Sequence, residues 1–217
     1  MIDPAARAAL SGGSSDREVH ALVARVVREC SPKKGTIVDV GCGGGSLAAS
    51  LLGAFELYVG CDLIAYEGFP QESWARFVQA NLDEPPYPLA SRMADVVLAV
   101  ETIEHLENPR RFVRELARIA KPGGFVIVTT PNQLSLLAKM TLVVKNRFNA
   151  FQDGSYPAHI TALLELDLLR IARECGLVDA EIHYAGAGRI PFTGRHWPGL
   201  LRGRAFSDNV LLRARRP

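Results

Sequence analysis

The stretch Val38-Asp39-Val40-Gly41-Cys42-Gly43-Gly44-Gly45-Ser46 constrains this chain more than any other. Thr36 to Val40 read as a short apolar strand and the residues from Ser46 as a helix, so the glycines sit on a strand-to-helix turn. Glycines there permit a tight bend and let backbone N–H groups approach a ligand with no Cβ in the way. A cofactor belongs on such a turn, and taken alone the turn also fits dinucleotide binding. The spacing narrows the choice. Gly41, Gly43 and Gly45 form GxGxG, whereas the dinucleotide fingerprint wants its third glycine where Ser46 stands. Asp39, two residues before Gly41, suits a ligand that carries an amino group rather than a pyrophosphate.

The rest of the chain alternates strands with helices. After a small, Gly/Ser-rich start over residues 1–14, Ser15 and Asp16 offer N-caps for a helix to about Cys30, with Val19, Leu22, Val23, Val26 and Val27 at helical spacing. The apolar segments FELYVGCD, WARFVQANL, ADVVLAVE and FVIVTTPN read as further strands, and PRRFVRELARIA as an amphipathic helix. Strands separated by helices pair in parallel through right-handed crossovers. A helix in ALLELDLLRIARECG, a strand near LVDAEIHYAG and a last strand in DNVLLRAR complete the expected fold. That fold is an α/β, Rossmann-like sheet of seven strands, mostly parallel with one antiparallel, with helices on both faces. Residues 1–34 are expected to form an N-terminal helical segment and 35–217 the main domain. Residues 133–160, rich in Leu, Val and Phe, form a long insertion expected to be an ordered helical lid.

Composition bounds the remainder. At 217 residues and 48% hydrophobic content the chain suits one domain with a full core. No apolar run approaches the roughly 20 residues that cross a bilayer, and the N-terminus lacks a signal-peptide layout, so a cytoplasmic protein is expected. Cys30, Cys42, Cys61 and Cys175 form no CxxC pair, which argues against a disulfide framework or a thiolate zinc site. From Arg189 to Pro217 there are seven arginines and one acid, Asp208; this stretch either favours an anionic acceptor or forms a solvated basic rim.

Three more clusters carry chemistry. Asp62, with Leu63 after it, ends strand two about 20 residues beyond the glycines, where a carboxylate accepts hydrogen bonds from both ribose hydroxyls; the alternative is a helix N-cap. Asn81-Leu82-Asp83 ends strand three, either beside an adenine or as an ordinary Asn-Asp turn. Glu101-Thr102-Ile103-Glu104-His105 follows strand four.

In their order VDVGCGGG, CD, ADVVLAVETIEHL and LARIAKPGGFVIVTTPN, these segments resemble the class I S-adenosylmethionine-dependent methyltransferases, especially the branch with ubiquinone-pathway O-methyltransferases and bacterial glycan-cluster methyltransferases. The resemblance covers roughly residues 34–132 and is specific for fold and cofactor, not for acceptor. It implies that Gly41, Cys42 and Gly43 line the methionine part of the cofactor with Asp39 near its ammonium. It further implies Asp62 and Leu63 at the ribose, Asn81 and Leu82 beside adenine, and Ala99, Val100 and Glu101 along the methionine side. The chain departs from the pattern between Asp62 and Trp74, where about ten residues leave room only for a short or irregular crossover.

Glu101, Glu104 and His105, with His159 at the end of the insertion, also form a candidate ligand set for Mg²⁺ or Mn²⁺. Such an ion would hold neighbouring hydroxyls and acidify the one attacked. The segment is similar to the Glu-x-x-Glu-His of metal-dependent small-RNA 2′-O-methyltransferases; the other reading is a helix cap that lines a pocket. Without a metal, His105 or His159 is the candidate general base, and Glu104 a catalytic neighbour. The expected activity is O-methylation of a hydroxyl on a sugar, glycan or similar metabolite, in glycan or natural-product biosynthesis. The acceptor would be gripped by the N-terminal helix, the insertion and the loop with Arg189, Arg195, His196, Trp197, Arg202 and Arg204. Other readings are an RNA methyltransferase, disfavoured because basic residues cluster only in the C-terminal stretch, a non-catalytic cofactor-binding partner subunit, and an NAD-dependent oxidoreductase. Sequence leaves the oligomeric state open.

Overall fold

A computed structural model describes residues 7, 8, 10, 12, 13, 15–30 and 34–217. Part of the expected N-terminal segment 1–34, including most of its Gly/Ser-rich start, therefore lies outside the described residues. A seven-stranded sheet runs in the order β3-β2-β1-β4-β5-β7-β6. Its strands are β1 (Gly35–Val40), β2 (Phe55–Asp62), β3 (Ala75–Gln79), β4 (Ala94–Ala99), β5 (Ala120–Pro131), β6 (Val178–Ala185) and β7 (Asn209–Arg215). β7 pairs antiparallel with both β5 and β6, and the pairings among β1 to β5 are parallel. The expected mostly parallel sheet with one reversed strand is what forms.

Helices α1 (Arg17–Cys30), α2 (Ser46–Leu51), α3 (Pro109–Ile119), α4 (Leu136–Lys145) and α5 (Glu165–Glu174) follow the sequence pattern. The central strands are buried on both faces, so neighbours along one strand serve different cores. Ile37, Val96 and Leu98 pack with Val19, Val23 and Val26 of α1 and Leu47 of α2, while Val38, Val97 and Ala99 pack with Phe112 and Leu116 of α3 and Leu168 and Ile171 of α5. Asn108 caps α3 by accepting from the Arg111 N–H, and Pro109 follows at its first turn.

Between Asp62 and Ala75 the chain makes turns and no helix, which excludes the N-cap reading of Asp62. Phe69 fills the space a helix would take, packing on Tyr58 and Phe77. The insertion folds as α4 followed by a 3₁₀ turn at Asp153–Ser155. Its end is fastened to the segment after β4, because the N–H groups of Ile160 and Thr161 both donate to the Glu104 carbonyl at 3.0 Å.

Candidate active site

The C-terminal ends of β1, β2 and β4 surround a cavity of about 280 Å³. Ligands of open α/β sheets bind in this crevice. Every cofactor residue expected from sequence lines it except Gly43 and Ala99. Ala99 is buried in the core under α3 and α5, because strand alternation turns it away from the face that Val100 presents. Gly43 acts through its backbone instead: its N–H donates to the Asp62 carboxylate at 2.8 Å.

The turn leaves no room for a side chain at Gly41 or Gly43. Gly41 has φ +84, and a Cβ there would collide with the Thr102 hydroxyl. Gly43 has φ +50, and a Cβ there would collide with the Gly13 carbonyl. The turn is thus pressed between the segment after β4 and the N-terminal segment. Cys42 is buried, and burial raises its thiol well above the ordinary range, so it packs as a neutral group.

Two of the carboxylates that line the cavity, Asp39 and Asp62, are bonded differently. Asp39 is 2% exposed. The Tyr58 hydroxyl donates to its Oδ2, and its Oδ1 has no partner. Burial raises its pKa from 3.8 to about 7, against the Tyr58 hydrogen bond and with help from the Asp62 charge. A buried acceptor with one oxygen free fits a cationic group, as the ammonium of an amino-acid ligand would supply. Asp62 is already well bonded, accepting from Leu63 N at 2.7 Å, Ile64 N at 3.3 Å and Gly43 N. A carboxylate has about four lone-pair sites, so little acceptor capacity is left for ribose hydroxyls. Asn81 makes the Asx turn that its sequence allowed, accepting from Asp83 N at 3.1 Å, and still lines the cavity beside Leu82.

Sequence reasoning missed the N-terminal wall. Arg7, Ala8, Gly13, Ser15 and His20 all line the cavity. Arg7 is buried, pairs with Asp83 and reaches Glu107 at 3.6 Å. The only signal was Ser15-Asp16 at the start of α1; nothing local marks Arg7 as a residue that folds back over the sheet.

Glu101, Glu104, His105 and His159 separate. Glu101 adopts a left-handed backbone at φ +49, uncommon for a residue with a Cβ, and its N–H donates to the Thr129 hydroxyl at 2.9 Å. Burial is the main cause that raises the pKa of its carboxylate, with the nearby Asp16 backbone and Ser15 side chain acting against it. Glu104, His105 and His159 bring ligand atoms within 4.8 Å of one another, and Glu101 is not in that cluster. Both Glu104 oxygens are buried without a partner, although the Thr130 hydroxyl lies beside them; burial and the Glu101 charge raise its pKa from 4.5 to about 8. His105 Nδ1 lies 2.9 Å from the Ala158 carbonyl, and His159 Nδ1 2.6 Å from the Ala150 carbonyl. A carbonyl only accepts, so both Nδ1 atoms carry hydrogen and both Nε2 atoms keep a lone pair. Burial lowers both imidazole pKa values, keeping the rings neutral near pH 7.

A second cavity, about 530 Å³, adjoins the first through Glu101 and His159, which line both. Its other walls are Asp16 near α1, Asn132, Gln133, Asn149 and Ser155 around the insertion, and Arg189, His196, Asp208 and Asn209. The basic C-terminal stretch is mostly spent inside the fold. Arg189 pairs with Asp208, Arg204 with Glu165, Arg213 with Glu181 and Arg215 with Asp179, while Arg216 donates to three main-chain carbonyls. Trp197 packs on Phe206. Arg195 and Arg202 line neither cavity.

The family model of the methyltransferase domain matches residues 15–182, which span the glycine turn, both cavities' central residues and α5. This chain belongs to the class I S-adenosylmethionine-dependent methyltransferases. A ubiquinone biosynthesis O-methyltransferase of Ralstonia nicotianae is 30% identical over 209 residues, 92% of this chain and 84% of that protein. The enzyme of the same name from Thiobacillus denitrificans is 28% identical over 179 residues, 76% of this chain and 74% of its own. An S-adenosylmethionine-dependent methyltransferase from Archaeoglobus fulgidus shares the fold with a TM-score of 0.61 at 17% identity, covering 91% of this chain and 94% of that one. This methyltransferase is therefore an S-adenosylmethionine-dependent enzyme, and the dehydrogenase reading of the glycine turn falls away. Among the described residues no helix is long and apolar enough to cross a membrane.

Proposed function

We propose that this methyltransferase O-methylates a hydroxyl of a sugar, glycan or similar polyhydroxylated metabolite, with His159 as general base. The observation that carries this reading is that Glu101 and His159 line both cavities. A donor in the first and an acceptor in the second would meet at those two side chains. Bound in the first cavity, S-adenosylmethionine supplies a methyl group already activated by its sulfonium. The chain's own residues then have to hold, orient and keep dry the two partners. Asp39 Oδ1 would receive the ammonium, Asp62 the ribose through its remaining lone pair, and Leu82 and Asn81 the base edge. In the same reading Arg7, Ala8, Gly13, Ser15 and His20 of the N-terminal segment 1–34 close the donor cavity of the domain 35–217, and residues 133–160 roof the acceptor. Neutral His159, its Nε2 lone pair free, takes the hydroxyl proton as the methyl moves. Amide and charged groups around the second cavity suit hydroxyl-rich acceptors, and the names of the curated relatives support oxygen as the accepting atom. The test is formation of S-adenosylhomocysteine with a panel of sugars and nucleotide sugars, beside amine and RNA acceptors. Turnover confined to hydroxyl acceptors is expected; turnover only with amines or RNA overturns the reading.

A second reading is favoured by the unpartnered Glu104 carboxylate. With the Nε2 atoms of His105 and His159 it offers one oxygen and two nitrogen ligands, a set that fits Mn²⁺ and not the oxygen-seeking Mg²⁺. Bound there, the ion would lower the pKa of an acceptor hydroxyl. Titration of the protein with Mn²⁺ tests it, and absence of binding at pH 8.5, above the Glu104 pKa of about 8, ends it.

A further inference from the structure

Glu101 holds its backbone in a conformation that its side chain disfavours. Its φ is +49, in the left-handed region that glycine enters without a Cβ penalty. Among the described residues Arg92, Asn146, Asp179 and Phe192 also combine a side chain with positive φ, and all four are exposed. Glu101 is instead half-buried and lines both cavities. A position that needed only the bend would suit glycine or asparagine better, so the strain points to a function of the carboxylate.

Two side chains from neighbouring strands hold it there. β4 is last registered with β5 at Ala99, opposite Val128, and beyond that point the Glu101 N–H donates to the Thr129 hydroxyl at 2.9 Å. Thr129 is 1% exposed and lines neither cavity, so it reaches the site only through Glu101. At the other end of the residue, the Asn209 amide nitrogen lies 3.3 Å from Glu101 Oε1 with the amide oriented to donate. Asn209 begins β7 and lines the second cavity but not the first, so this contact draws the carboxylate toward the acceptor side.

We propose that Thr129 and Asn209 are positioning residues that fix the Glu101 carboxylate between the two cavities, where it accepts a hydrogen bond from the acceptor and selects which hydroxyl meets the methyl group. This rests on the reading that the second cavity takes a hydroxylated acceptor. Such a molecule presents several hydroxyls of similar reactivity, which only their placement distinguishes. As the O–CH₃ bond forms and the S–CH₃ bond breaks, the electron pair goes to sulfur and the hydroxyl proton to His159. Glu101 neither gains nor loses a proton and keeps its hydrogen bond to another hydroxyl of the acceptor.

Urea melts test the strain and acceptor kinetics test the role. Glu101→Gly should be more stable than Glu101→Ala, the reverse of the usual order, since both lack the carboxylate and only alanine keeps the Cβ. Thr129→Val and Asn209→Ala should leave S-adenosylhomocysteine affinity unchanged, which also shows that they fold. With the sugar or nucleotide sugar that the native protein methylates fastest, each should raise KM about 5–10-fold, lower kcat less, and spread the methyl over more than one hydroxyl. Thr129→Ser, which keeps the oxygen, should restore the native KM and product. Cofactor affinity that falls in step with KM would place the carboxylate at the donor and overturn the proposal. Unchanged KM and product in Thr129→Val, or an alanine variant at 101 more stable than the glycine one, would overturn it too, with the acceptor reading left standing. A native protein that methylates no sugar or nucleotide sugar overturns that reading, and this proposal with it.

Discussion

The Tyr58 hydroxyl donates to one oxygen of Asp39 and leaves the other oxygen without a partner beside the first cavity. Burial holds the Asp39 carboxyl at about 7, and a bound ammonium needs the ionised form. The association constant for S-adenosylhomocysteine should therefore fall as pH drops below about 7, approaching tenfold per unit. Asp39→Asn should remove that dependence, and Tyr58→Phe should move its onset upward, because the phenol favours the charged form. Calorimetric titrations from about pH 5.5 to 7.5 check this, and a flat profile in the native protein removes Asp39 from the ammonium.

Asp62 joins the glycine turn to the loop after β2 through the N–H groups of Gly43, Leu63 and Ile64. Asp62→Ala leaves those donors unpaired and takes away the ribose acceptor. Hydrogen bonds to charged groups contribute about 1.5–3 kcal/mol each, so cofactor affinity should drop at least about tenfold. Near-native affinity in the variant would end the ribose assignment.

His159 has its Nδ1 committed to the Ala150 carbonyl and its Nε2 free. His159→Ala should lower kcat by about 10²–10⁴-fold, the usual contribution of a positioned base, and leave S-adenosylhomocysteine affinity unchanged. Because burial depresses its pKa, native activity should persist to pH values below 6.5 before the base protonates. Full turnover in the variant would move the base elsewhere.

Glu104 separates the metal-free and metal-bound readings. Its folded pKa of about 8 lies above the usual 4.5, so the folded state holds a proton that the unfolded state releases. Stability from this group is complete below pH 4.5 and is lost as pH rises to about 8. Glu104→Gln, which mimics the protonated acid, should stabilise the protein at pH 8 by on the order of 4 kcal/mol at most. Denaturant melts of both proteins at low and high pH measure it. With His159 acting alone the variant should keep most of its turnover; loss of both turnover and Mn²⁺ binding would instead support the metal.

Arg7 is buried against Asp83 and lines the first cavity, the proposed donor site. Arg7→Ala should speed dissociation of S-adenosylhomocysteine and leave Asp83 without its cation. A dissociation rate equal to that of the native protein, measured by stopped flow, would show that this wall does not hold the ligand.

Local pattern made the sheet and the glycine turn legible. Apolar runs such as Phe55–Asp62 are bounded by turn residues, and the strand-helix alternation admits few topologies. The resemblance placed Ala99 at the cofactor, because a motif carried along a sequence says which residues end a strand but not which face each presents. The apolar content of the insertion suggested an ordered lid but not which way its residues face, and Met140, Val143 and Val144 are exposed.

Sequence by itself determined the order of the elements, the GxGxG turn and the carboxylates at the strand ends, since these follow from local periodicity and backbone sterics. Tertiary structure alone decided which distant groups meet. Arg7 reaches Asp83 across the sheet, and His159 comes beside His105 because two N–H groups of the insertion find the Glu104 carbonyl. It also decided that most of the C-terminal arginines neutralise acids of their own fold rather than face a ligand. Charge and spacing can be counted along a chain, but burial, and with it the pKa of Asp39 and Glu104, exists only once long-range contacts have excluded water.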